Sequence, residues 1–175
     1  TGPLTIPRSQ LGAFARSDSG HTSRNIEWHV QPLSLDKFGS PLHPFDAITP
    51  SVCNLQPTSR GHVRIKSGDP AAHPAITLNY LATDEDQQVA VAGLKFTRRI
   101  MQAKALARFA PEEWLPGPAL ATDADLRRAA GDLGLQITHD GRDVGCDLLS
   151  VNHAGQRVSE IPAAQLGEPG VDRTA

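Results

Sequence analysis

The side chains able to move protons, hold metals or attack as nucleophiles are thinly spread in this chain, and few stand at spacings that imply chemistry. His139, Cys146 and His153 recur at intervals of seven. One thiol and two imidazoles so placed match none of the usual zinc patterns, and no metal site is expected. Asp140, Asp143 and Asp147 lack the calcium-loop spacing and its closing glutamate. Ser59, in Thr58-Ser59-Arg60-Gly61, has no nucleophile-elbow context, so a hydrolase gains no support. Lys95, Arg98, Arg99, Lys104 and Arg108 could touch phosphate, but a basic cluster along a helical stretch fits a solvated face. The two cysteines, Cys53 and Cys146, are too few for a disulfide framework, and free thiols in a reducing compartment are expected, although a pairing stays open. His139 remains: imidazole titrates near neutral pH, yet on the residues alone it is an ordinary histidine following a helix.

The whole chain bounds what these groups can do. It has 175 residues, 39% of them apolar, and 15 glycines, which suits one domain with a real core, or one domain with a tail. A net charge of −2 gives no overall field toward nucleic acid or an anionic membrane. No apolar run approaches the roughly 20 residues of a membrane span, and the N-terminus has no charged start followed by an apolar stretch, so no secretory signal is read. The first residue is Thr1, and a fragment of a longer chain is expected. Cytoplasmic residence is the default expectation.

The elements follow from periodicity. The first 23 residues, rich in Gly, Ser and Pro, read as a loop. Residues 24–33 alternate, with Ile26, Trp28 and Val30 on one face and Asn25, Glu27 and His29 on the other, as in a half-buried strand that Pro32 ends. Residues 47–56 carry β-formers, residues 57–61 supply a turn, and residues 62–67 alternate again, which predicts an antiparallel hairpin of these two segments. After the turn at Gly68-Asp69-Pro70, residues 75–81 form a short strand. Thr83 through Asp86 has the form of a capping box, and Val89, Ala92, Phe96, Ile100 and Ala103 then recur at helical spacing, predicting a helix over 84–107. Pro111, Pro116 and Pro118 enforce a loop carrying Trp114. A second capped helix starts at Thr122 and ends at Gly134, a natural terminal glycine. Residues 140–175 keep no sustained period and read as a poorly ordered tail, with a short strand near 147–151. The class is a soluble α+β domain.

The order of motifs adds more than any one of them. Pro57, Ser59-Arg60-Gly61, Val63, Asp69-Pro70, Pro74, Ile76, Asn79-Tyr80-Leu81, the acidic start at Asp84 to Asp86, and Leu115-Pro116-Gly117-Pro118 stand in the order of the C-terminal, substrate-binding domain of the glucose–methanol–choline (GMC) oxidoreductases. The chain resembles the choline-dehydrogenase-like branch of that family, more loosely from Gly2 to His139. The resemblance implies a mostly antiparallel sheet backed by two helices over residues 1–139, with 140–175 a divergent or truncated tail. It implies a part of an FAD-dependent enzyme that oxidises the CH–OH group of a small alcohol by hydride transfer to flavin. The charge and the apolar runs, for their part, lead us to expect no nucleic-acid partner and no membrane segment.

In the family a histidine follows the second helix in a G-x-x-I-x-H pattern, which Gly134, Ile137 and His139 fit. That histidine is the base on the substrate hydroxyl, a role imidazole suits because hydride leaves the carbinol carbon more easily once the oxygen gives up its proton. By the same resemblance Trp28, His29, Val52 and Asn54 are the candidate substrate-lining residues, on strands that face substrate. The chain departs from the family after His139, where the V-G-T continuation is missing, and Asn152 and His153 come too early to serve as the second active-site group. No G-x-G-x-x-G turn is present, so FAD is expected to be held mainly by an N-terminal domain outside this chain, and the chain alone is expected to be inactive. The alternative is a catalytically inactive remnant or binding domain.

Overall fold

The computed structural model describes residues 9, 11–36, 40–138, 149–150 and 152–154, with side chains as far as residue 133. The expected alternation is realised in β2 (Ile26–Gln31). Ile26 and Trp28 are buried, while Glu27 and His29 on the other face are only partly covered. β2 pairs antiparallel with β3 (Ala47–Asn54), setting Glu27 opposite Cys53, Trp28 opposite Val52 and His29 opposite Ser51. On its other edge β2 takes β1 (Leu11–Ala15), a strand where the sequence suggested a loop. Burial of Asn25 accounts for the difference. Its side chain exchanges hydrogen bonds with Ser17 and its backbone N–H donates to Ala15, so the Gly- and Ser-rich stretch becomes a closed turn feeding a strand.

The hairpin predicted between 47–56 and 62–67 does not form. β3 turns instead to β7 (Leu149–Ser150) and β8 (Asn152–Ala154), and β8 pairs with β6 (Glu112–Leu115), giving one sheet in the order β1-β2-β3-β8-β6 with β7 beside β3. β4 (His62–Arg64) pairs with β5 (Ala75–Thr77) as a separate antiparallel ribbon. Segment 57–61 is not free to be a tight turn, because it is bound to the start of the first helix. Asp86 accepts from the backbone N–H groups of Thr58 and Ser59 at 2.8 Å each and from the Asn54 amide at 3.2 Å, and the Ser59 hydroxyl accepts from Ala82 and Thr83 N–H. Gly61 is required there: a Cβ would stand 2.2 Å from the Thr77 carbonyl oxygen. β6 likewise replaces the loop expected around Trp114. Pro111 and Pro116 flank the strand rather than interrupt it, so every ladder N–H remains available.

α1 (Asp84–Met101) begins as the capping pattern requires, with the Thr83 hydroxyl accepting from Asp86 N–H and three acidic residues in the first turn. It stops at Met101, short of the expected 107, and a 3₁₀ helix (Lys104–Phe109) follows after an extended Ala103. Leu94 and Thr97 have no exposed surface, and α1 packs on β3 so closely that a Cβ on Gly93 would meet Val52 at 3.1 Å. α2 (Asp123–Thr138) is capped by Thr122, whose hydroxyl accepts from Asp125 N–H and donates to its carboxylate. It continues through Gly134, the glycine expected to end it. A helical glycine costs only about 1 kcal/mol, less than the buried packing of Leu126 and Ala130 against α1 returns. Among the described residues the fold is thus α+β, a mostly antiparallel sheet backed by two helices. No helix among them is long and apolar enough to cross a membrane. The strand expected near 147–151 is β7; the rest of 140–175, apart from β8, lies outside the described residues.

Candidate functional site

The pleat of β2 and β3 sorts the expected site residues onto two faces. Trp28 and Val52 face α1. The Trp28 indole N–H donates to the Thr97 hydroxyl at 2.7 Å, its ring lies 5.0 Å from that of Phe96, and both Trp28 and Val52 are 2% exposed. The space between β3 and α1 is a cavity of about 10 Å³ lined by Val52, Asn54 and Leu81 among others, at the lower limit for one water. A ligand has no room there. Asn54 ends β3 with its amide on Asp86 and its carbonyl oxygen accepting from Gln56 N–H, a link between strand and helix terminus.

His29 lies on the opposite face, with company the sequence did not reveal. Its Nε2 stands 3.3 Å from a Glu27 carboxylate oxygen, and Cys53, across the ladder from Glu27, has Sγ 3.8 Å from the Glu27 carbonyl oxygen. The imidazole, the carboxylate and the sulfur all lie within 4.8 Å of one another. Ser51, opposite His29, shares this face, and on the other side of His29 the ladder partner is Gly12 of β1, which adds no side chain. The face is therefore polar, titratable and held on paired strands. The alternation of residues 24–33 placed Glu27 beside His29 in the sequence reading. Cys53 joins them only through the pairing of β2 with β3, which no local spacing encodes. The expectation of no metal site rested on spacings along the chain, and those do not contain this cluster.

Asp86 is buried at the start of α1. Burial, the largest influence on its carboxyl, raises its pKa, but the hydrogen bonds from Ser59 and Thr58 outweigh it and hold the group below its ordinary value. Four of the five basic residues considered for phosphate have structural partners. Arg98 pairs bidentately with Glu113 at 2.7 and 2.9 Å and donates to the Leu120 and Gly117 carbonyls. Lys95 pairs with Asp123, and the guanidinium groups of Arg99 and Arg108 lie over the rings of Phe96 and Phe109.

His139 lies outside the described residues, as does Cys146. α2 runs to Thr138, and the next described backbone, β7, is paired with Ser51 and Val52 of β3.

Residues 57–141 match the family described as GMC oxidoreductase, through its C-terminal domain. The chain is 34% identical to an alcohol dehydrogenase [acceptor] of Pseudomonas putida over 133 residues, 74% of this chain and 24% of that protein. It is 36% identical to an oxygen-dependent choline dehydrogenase of Klebsiella pneumoniae over 72% of this chain and 23% of the relative. A choline dehydrogenase of Acinetobacter baumannii is 34% identical over the same shares. The chain spans about a quarter of the length of these curated relatives.

Proposed function

The chain belongs to the GMC oxidoreductase family, in its choline-dehydrogenase-like branch, and on that premise we propose that it supplies the substrate-facing wall of an enzyme oxidising the CH–OH group of a small alcohol. FAD, when bound, accepts the hydride. It is held mainly by polypeptide outside this chain, which has no glycine-rich dinucleotide turn. His139 takes the hydroxyl proton as hydride departs. His29, with Glu27 and Ser51 on the same face, lines the alcohol side of the pocket. Trp28, Val52 and Asn54 serve it from behind, fixing β2 and β3 against α1. Residues 1–139 form this wall, and 140–175 are a divergent extension.

The observation that carries the reading is the match of residues 57–141, with similarity to alcohol- and choline-acting relatives over nearly three quarters of the chain. The role given to His139 rests on the family pattern that Gly134, Ile137 and His139 fit. The test is anaerobic mixing of the full-length, FAD-loaded protein with a panel of alcohols that includes choline, following loss of the oxidised-flavin absorbance. Bleaching is expected, slowed by at least about a hundredfold in His139→Ala, whereas the 175-residue chain supplied with FAD should give none. A flavin-loaded full-length protein that no alcohol bleaches would establish the inactive-remnant alternative, and wild-type rates in His139→Ala would remove that residue from the chemistry.

A further inference from the structure

Glu27, His29 and Cys53 make up a donor set on the face that the reading above gives to the alcohol, and no proton or hydride step derived there uses them. Thiolate, imidazole and carboxylate are the three ligand types that zinc takes. With Zn–S near 2.3 Å and Zn–N near 2.0 Å, neighbouring donors of a tetrahedral site stand roughly 3.3–3.7 Å apart. The 3.3 Å between His29 Nε2 and the Glu27 oxygen already has that length, and Cys53 Sγ lies within 4.8 Å of both. The difference is within reach of side-chain torsions, and the donors ride on two adjacent, fully paired strands, which hold such a set more firmly than loops do. Charge also balances. One thiolate and one carboxylate neutralise a dication, which suits a position where the Cys53 side is 1% exposed. His29 is more than a third exposed, so that side stays open for entry and for a fourth ligand from solvent.

We propose that Glu27, His29 and Cys53 form a site for a borderline divalent metal ion of the zinc class. Binding releases the Cys53 thiol proton to solvent and uses neutral imidazole, so affinity rises with pH. The site shares its face with the alcohol reading, but its test reads metal binding without flavin, so the failure of one is distinguishable from the failure of the other.

The experiment is titration of the purified, reduced 175-residue chain with Zn²⁺ against a chromophoric chelator, and with Co²⁺ followed by its thiolate-to-metal absorption in the near ultraviolet. One equivalent per chain is expected, with a thiolate band. Cys53→Ser should abolish the band. Because that buried position could upset folding, His29→Gln, at a half-exposed site, is the second variant, and it should weaken zinc binding by at least about tenfold. Cys146→Ser should change neither reading. Absence of saturable binding would sink the proposal, as would affinity unmoved in a folded His29→Gln or a band that disappears with Cys146 instead of Cys53.

Discussion

Asp86 shows how much one residue organises here. It opens α1, is buried, and accepts from the backbone N–H groups of Thr58 and Ser59, just after β3, and from the amide of Asn54, the last residue of β3. Because those hydrogen bonds favour the ionised form, the folded carboxyl has a lower pKa than the unfolded one. The stability this gives is therefore complete above the usual carboxylate range of roughly pH 4 and is lost as pH falls through that range toward the lower folded value. Asp86→Asn should cost about 2–3 kcal/mol at pH 7, measured by urea unfolding, and should flatten the fall in stability between pH 5 and 3. An unchanged acid limb in the variant would mean that other carboxylates govern it. Trp28 offers a second case. Thr97→Val leaves the buried indole N–H without its acceptor, an expected loss of about 1–3 kcal/mol in the same measurement. The capping box and the period of residues 24–33 made Thr83, Asp86 and Trp28 visible in the sequence as structural positions. The carboxylate's partners were not visible, because they come from residues 54 to 59, beyond the helix's own turn.

At the scale of elements, the closest contact is that of α1 on β3. Val52 is β-branched, buried and stiff, so it yields little to a Cβ at Gly93 3.1 Å away. Gly93→Ala is expected to destabilise by about 1 kcal/mol despite the better helix propensity of alanine, whereas in a Val52→Ala background the same change should become neutral or stabilising by up to about 1 kcal/mol. A double-mutant cycle in thermal or chemical unfolding measures that coupling, and additive effects would show that the helix stands further from the sheet. Element types were legible where one face is buried, as in β2 and α1. Their ends were less so: α1 stops at Met101, short of the apolar period, and α2 runs to Thr138, past the glycine expected to end it, since a helical glycine costs only about 1 kcal/mol.

Across the whole molecule, the ribbon of β4 and β5 stands off the main sheet, and Val63, Ile65 and Ile76 around it are exposed, Ile65 at 89%. Contiguous apolar surface of this kind drives association. Val63→Ser with Ile65→Ser should lower self-association of the 175-residue chain in light scattering, with little change in melting temperature, since neither side chain contributes to the core. A large drop in melting temperature would mean that these residues are buried against the rest of the chain in solution. What the sequence determined by itself was the class of fold, the two helix starts and the two faces of β2, because each depends on residues within a few positions of one another, together with the family order of motifs, which is read along the chain without any knowledge of contacts. Strand partnership was decided only by tertiary structure: β3 beside β2 and β8 rather than β4, and with it the meeting of Cys53 with Glu27 and His29. Register between distant strands is set by which apolar face the helices cover and by where Asp86 anchors the connection, and neither is written in a local period.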